Sequence, residues 1–380
     1  MTSSKRAWAP LFCTVAGSIA LLAADTPPSG TPAVPEGFTI EAIARIADAR
    51  ELAAAPNGDL FVGTLGHDVE LVPDAEGSPG EPHVYAHLPD GEAAGVALAD
   101  GRLFVGTTFG VWTLPYAPGE REARAAPHKL FDVRTGGGGG HSTTSVAVSG
   151  ETLFASVGSS CNACEEHDPT RATILEADPD GGAARPRATH IRNAIALAVD
   201  PATHDLWAGV AGQDELEHGH PYEIFDDVSV RPGTPEYGWP TCYEDRRPAR
   251  TGADCATETV PAAVFPAYET PIGAAFYPRA ERGRFTFPEA WRGGAFVALH
   301  GSWHQPPVPP RVVFVPVTGS APRTPVDWND PGTQWKPFVT GYQEPDGRRI
   351  GRPTGVAVGA DGSLFVADDA SGMIYRIRPR

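Results

Sequence analysis

The chain has 380 residues, among them 43 Gly and 39 Pro, and carries a formal net charge of −17. That length buries one sizeable core in a single domain. The acidic balance excludes an electrostatic grip on nucleic acid or an anionic membrane surface, and Gly and Pro spread through turns argue against long helices.

In chain order, Lys5 and Arg6 precede a mostly apolar stretch over residues 7–24, the charge order and length of a secretory signal; residues 1–24 are expected to be removed. The mature chain is then periplasmic or secreted, with no integral membrane domain. Residues 25–36 are a Pro-rich extended linker, and the folded domain is predicted over residues 37–380.

Within that domain one word recurs six times after a turn: GDLFVGT (58–64), GRLFVGT (101–107), ETLFASV (151–157), HDLWAGV (204–210), GGAFVAL (293–299) and GSLFVAD (362–368). A small apolar strand precedes each: ELAAAP (51–56), AGVALAD (94–100), TSVAVSG (144–150), IALAVDP (195–201), IGAAFYP (272–278) and TGVAVGA (354–360). Six such pairs predict an all-β, six-bladed β-propeller. Small residues suit the inner strands because all six crowd one axis.

Removing Cys13 with the leader leaves Cys161, Cys164, Cys242 and Cys255. An even number in an exported chain predicts two disulfides, and neighbours are paired: Cys161 with Cys164, Cys242 with Cys255. The CNAC word has no second CxxC to complete a metal site and no βαβ context for a redox motif. Glu165 follows it where haem attachment needs His.

The residues just before the inner strands are Arg50 with Glu51, Glu92, His141, Arg192 with Asn193, Glu269 with Pro271, and Arg352 with Pro353. A propeller aims these groups at shared space, and convergent polar groups are what a ligand site requires. His141 follows GGGGG (136–140), a run that crowds no ligand, and imidazole takes a proton at neutral pH. Residues 212–227, GQDELEHGHPYEIFDD, offer oxygen ligands for Ca²⁺ at Asp214, Glu215, Glu217 and Glu223. His218 and His220, two apart in a Gly-Pro loop, are poor support for zinc.

HSTTSVAV, LFASVGSSCNACEE, ILEADPDG, RNAIALAVDP, DLWAGVAGQDEL and YGWPTCYE, followed by HGSW (300–303) and GRPTGVAVGADGSLFVADD (351–369), resemble the glucose/sorbosone dehydrogenase family over residues 36–380. Those proteins are soluble six-bladed propellers that bind pyrroloquinoline quinone (PQQ) and Ca²⁺. The resemblance implies oxidation of an aldose or related sugar by hydride transfer to the quinone, with an unidentified electron acceptor. It casts His141 as the base for the substrate hydroxyl and Arg192 and Asn193 as contacts to the quinone oxygens. Gly212 and Gln213 would hold Ca²⁺ through their carbonyls beside Asp214, and His300 and Arg352 would contact the cofactor, Arg352 at a carboxylate. The chain departs from the family at Ala194, where Pro is usual, at His304 and Gln305, where Arg is expected, and at Gly212 and Gln213, where Glu-Arg is usual. Two other readings fit a propeller: a lactone hydrolase with a divalent cation held by Glu51, Asn193 and Asp214, and a binding module without catalysis.

Overall fold

A computed structural model describes residues 30–136, 139–304 and 308–380; the leader expected over residues 1–24 and Gln305 lie outside them. The small apolar words form the strands Ala49–Ala54, Gly95–Ala99, Thr144–Ser149, Ala196–Val199, Pro271–Tyr277 and Pro353–Val358. Each is hydrogen-bonded to the aromatic strand that follows, which pairs in turn with strands further out, giving six separate antiparallel sheets. The innermost strands neighbour one another in a closed cycle. The fold is a six-bladed β-propeller.

The recurrent aromatic of the second strands fills the space between blades: Phe61, Phe104, Phe154, Trp207, Phe296 and Phe365 are all buried. Both faces of these sheets are covered, so the strands read as continuous apolar runs rather than as alternation. Trp207 illustrates the contact across blades, lying 5.0 Å from Phe225 in its own sheet and 5.7 Å from Phe276 of the next.

Ring closure was not legible in the repeats. The strand Phe38–Arg45 pairs antiparallel with Met373–Pro379, so the last blade takes its outer strand from the N-terminal side of the domain and the ring has no open seam. Ala33 also exchanges backbone hydrogen bonds with Thr340, at 2.8 and 2.9 Å, so ordered pairing begins within the Pro-rich segment. Among the described residues no helix is long and apolar enough to cross a membrane.

Crowding at the axis explains the small residues. A Cβ on Gly95 would lie 2.1 Å from the Thr144 carbonyl oxygen, one on Gly273 2.0 Å from that of Thr354, and one on Gly355 2.3 Å from that of Arg50. Backbone cannot yield there without opening the ring. Gly95→Ala is expected to destabilise the domain by about 3 kcal/mol, the upper range for overpacking; the check is the urea midpoint, and an unchanged midpoint would refute the crowding argument.

The inner strands run in the same sense about the axis, so their first residues gather at one mouth and their last at the other. A cavity of about 510 Å³ lies at the second mouth. Alanine, valine and leucine line it, with Glu281 as its one charged residue. The polar and charged residues that precede the inner strands gather at the opposite mouth, where the strands begin.

Candidate active site

His141 is held from three directions. Its backbone N–H donates to the Ser159 carbonyl at 3.0 Å, and its own carbonyl accepts from Arg134 Nε at 3.1 Å. Arg134 is fully buried and donates further to the carbonyls of Thr108 and Thr143 and to Thr144 Oγ1. Its backbone N–H in turn donates to Thr170 Oγ1. The Gly run makes room for this turn: Gly140 has φ +63°, and a Cβ there would sit 2.4 Å from the Ser160 carbonyl carbon.

The imidazole Nδ1 lies 3.1 Å from both the carbonyl and the hydroxyl oxygen of Ser159. A carbonyl only accepts, so the proton belongs on Nδ1 and the lone pair on Nε2. Burial, with the positive charges of Arg192, Arg134 and Arg171, lowers the imidazole pKa to about 4, against the Ser159 backbone bond, which raises it. His141 is therefore neutral at pH 7, the form a base requires.

Arg192 is the next group round the mouth. Its Nε donates to the Asn162 carbonyl at 3.1 Å, Nη1 to the Ala211 carbonyl at 3.3 Å, and Nη2 to Asn162 Oδ1 at 3.0 Å and Asp214 Oδ2 at 3.2 Å. The other Asp214 oxygen lies 3.5 Å from His304 Nε2. His304 is sandwiched between Tyr268 and Trp303, with ring centroids 3.7 and 4.1 Å away. Asn193, beside Arg192, is buried.

The segment 300–304 links this half of the ring to the other. Arg352 Nε donates to the His300 carbonyl at 3.2 Å, and Nη2 to the Gly301 carbonyl at 2.9 Å and His300 Nδ1 at 2.6 Å. Because Arg352 donates to Nδ1, the His300 proton lies on Nε2, which faces the Asp369 carboxylate at 3.0 and 3.1 Å. Burial lowers the His300 pKa to about 4 despite Asp369, so the contact is a hydrogen bond from a neutral ring rather than an ion pair. Arg50 Nη1 closes the arc on Asp369 at 3.0 Å. Burial lowers the Arg352 pKa to about 10, and the group stays charged at pH 7. Its backbone N–H is pinned by Asp368 Oδ1 at 2.8 Å.

Ser159 joins His141 to Arg192, its N–H donating to the Arg192 carbonyl at 2.8 Å. The 3.5 Å Asp214–His304 contact with the 300–304 backbone connects them to His300 and Arg352, so the four predicted groups lie along one arc. Glu92 accepts from Ser142 Oγ at 2.7 Å and so braces the neighbour of His141. Glu269 is buried against Arg311 and is tied up by that pair. Asn162, Arg134, Asp369 and His304 had no assigned role from sequence, although His304 and its neighbour had marked the departure after HGSW.

The expected oxygen ligands do not converge as a set. Glu215 and Glu217 are exposed, and Glu217 pairs with Arg247 and Tyr243. His218 is exposed, and His220 lies against Glu244 at 2.7 Å. Glu223 is buried, which raises its pKa to about 7; its two oxygens accept the N–H groups of Gly212 at 2.6 Å and Tyr268 at 3.0 Å. The turn at 212–213 fits a cation better. The carbonyls of Ala211 and Asp214 accept from Arg192 and Asn162, whereas those of Gly212 and Gln213 accept no hydrogen bond among the described residues. Two adjacent unclaimed carbonyls suit a hard ion.

Cys161 bridges Cys164, and Cys242 bridges Cys255. Among the described residues one group of three His, Cys, Asp or Glu ligand atoms comes within 4.8 Å, formed by Cys161, Cys164 and Glu166, and its sulfurs are spent in the bridge. Of the lactone-hydrolase ligands, Asp214 is paired with Arg192, and burial raises the pKa of Glu51, in the axial channel, to about 8.

Residues 240–380 match the TrAA12-like family model. The whole propeller superposes on the PQQ domain of a pyranose dehydrogenase from Coprinopsis cinerea with a TM-score of 0.77 at 20% identity, covering 93% of this chain and 98% of that one. It also superposes on a Trichoderma reesei carbohydrate-active enzyme of family AA12, with a TM-score of 0.78 at 18% identity, covering 93% and 99%. A PQQ-bound aldose sugar dehydrogenase from Streptomyces coelicolor gives 0.62 at 19%, covering 91% and 99%. A Borreliella burgdorferi protein described as uncharacterized is 27% identical over 193 residues, 49% of this chain. The chain spans about half the length of that relative, 47%. The TrAA12-like segment contains His300, Arg352 and Asp369; His141, Arg192 and the 212–214 turn precede it.

Proposed function

We propose that this propeller is a PQQ-dependent oxidoreductase acting on an aldose or related sugar, exported to the periplasm or beyond. The observation that carries the proposal is the arc joining one neutral imidazole, His141, to the guanidinium groups of Arg192 and Arg352 at a single mouth of a protein whose net charge is −17. Concentrating cations there in an acidic protein suits a small polycarboxylate ligand, and PQQ is one. The fold agrees with it, shared as it is with the PQQ domain of a pyranose dehydrogenase and with a PQQ-bound aldose sugar dehydrogenase.

When bound, the quinone supplies the electron sink that takes hydride from a carbinol carbon. The remaining work falls to this chain. Arg352, anchored by His300 and Gly301, would hold a carboxylate of the cofactor. Arg192 and Asn193 would face its oxygens, and the carbonyls of Gly212 and Gln213 would hold Ca²⁺ beside them. His141, with its proton on Nδ1, would receive the substrate hydroxyl proton at Nε2. Arg192 then stabilises negative charge growing nearby.

The test is reconstitution. Purified apoprotein given PQQ and Ca²⁺ should reduce a redox dye with members of an aldose panel, and omission of either additive should lower the rate. Lactone hydrolysis without quinone would instead establish the hydrolase reading, and quinone-independent inertness toward both substrate classes would leave a binding module.

A further inference from the structure

The loop 159–164 touches both halves of the proposed chemistry, and one residue carries most of its contacts. Asn162 accepts from Arg192 twice, through its carbonyl and through Oδ1. The same Oδ1 accepts the Asp214 N–H at 2.7 Å, while Nδ2 donates to the Asp214 carbonyl at 3.0 Å. Its main-chain carbonyl also receives Trp239 Nε1 at 3.0 Å. The side-chain amide therefore pairs with Asp214 as one peptide group pairs with another and adds the guanidinium to the same oxygen.

Asn162 has little freedom to leave. It lies inside the four-residue loop closed by the Cys161–Cys164 bridge. Ser159 Oγ donates to the Cys161 carbonyl at 2.7 Å while contacting His141 Nδ1, and Glu166 accepts from the Ser160 N–H and hydroxyl. Arg192 and residues 212–214 sit on different loops of one blade. Without Asn162, Arg192 would keep the 3.2 Å contact to the Asp214 carboxylate and the 3.3 Å bond to the Ala211 carbonyl just before the turn.

We propose that Asn162 is a positioning residue, which sets the Arg192 guanidinium against the 212–214 turn, and that the Cys161–Cys164 bridge braces it. The inference rests on the dehydrogenase reading for its consequence but not for its geometry. A half-buried amide that satisfies three partners is costly to replace, since each is left with an unmet hydrogen bond.

The experiment compares wild type with Asn162→Leu, which keeps the volume, Asn162→Asp, which keeps the oxygen facing Arg192 and the Asp214 N–H, and a Cys161→Ser, Cys164→Ser double variant. Two readouts are taken on apoprotein: hydrogen exchange of the Asp214 amide by NMR, and PQQ affinity by absorbance titration with Ca²⁺ present. Asn162→Leu should speed exchange at Asp214 at least tenfold and weaken PQQ binding about tenfold. Asn162→Asp should restore most of both, and the double variant should shift both in the direction of Leu by a smaller factor. A folded Leu variant matching wild type in exchange and affinity would overturn the proposal, as would an Asp variant no better than Leu. Should Leu fail to fold, Asp and the double variant decide on the same readouts. Wild-type protein that binds no PQQ would sink the dehydrogenase reading, while the exchange data would still decide whether Asn162 holds the turn.

Discussion

His141→Ala should lower kcat by roughly 10²–10⁴, the span associated with loss of a positioned base, while the spectrum and affinity of bound quinone stay close to wild type. The separation follows from the wiring. His141 reaches Ser159, and Arg134 holds only its main chain, so truncating the imidazole removes Nε2 without releasing Arg192 or Arg352. The pH profile gives a second measure. A base must be neutral to act, so kcat/KM should rise with pH through the pKa of the free enzyme and level off above it. Burial first, then the positive charges of Arg192, Arg134 and Arg171, hold that pKa at about 4. The acid limb is accordingly expected near pH 4 rather than near the ordinary imidazole value of about 6.5. Stopped-flow rates across pH 3.5–8 check both statements. Unchanged turnover in the alanine variant would remove His141 from the mechanism, and an acid limb near pH 6.5 would show that the surrounding cations do not act on it.

The fold was legible because geometry repeats. Each blade needs a small inner strand at the axis and an aromatic second strand between sheets, so the sequence writes the same two words six times. The closing strand Phe38–Arg45 carries neither word, because it lies at the rim, where half its residues meet solvent, and nothing local to its sequence says that Met373–Pro379 is its partner. The site divides along the same line. His141, Arg192 and Arg352 stand immediately before inner strands, a position that aims a side chain at the mouth in any propeller. Asn162, Arg134 and Asp369 lie on connections after other strands. They act through main-chain carbonyls and through partners 30, 7 and 69 residues away in the chain, and such bonds leave no spacing to read. The acidic run at 214–223 misled in the opposite direction. Its carboxylates are chemically suited to Ca²⁺, yet the fold spends Glu217 on Arg247 and Glu223 on backbone N–H groups, and it leaves two carbonyls that sequence composition cannot reveal.

Arg352→Ala should weaken PQQ binding by about 10–100-fold, corresponding to the loss of one charge-assisted contact of about 1.5–3 kcal/mol, with a smaller effect on the rate of enzyme saturated with cofactor. Arg352 also fastens the 300–301 segment through both carbonyls and caps His300 Nδ1, so the variant should melt at a lower temperature as well. Arg352→Lys separates the two roles. An ammonium keeps the charge but cannot span the His300 carbonyl and Nδ1 together as a planar guanidinium does, so Lys should recover part of the PQQ affinity and little of the melting temperature. His300→Gln completes the argument from the other side of the contact: it leaves the Arg352 charge in place while removing the neutral ring between it and Asp369. Free of that spacer, Asp369 would compete for the guanidinium, and PQQ affinity should fall although no positive charge has been deleted. Isothermal titration of the three variants measures this directly. PQQ affinity equal to wild type in Arg352→Ala would refute the carboxylate role, and full affinity in His300→Gln would show that the neutral imidazole does not keep the cation available.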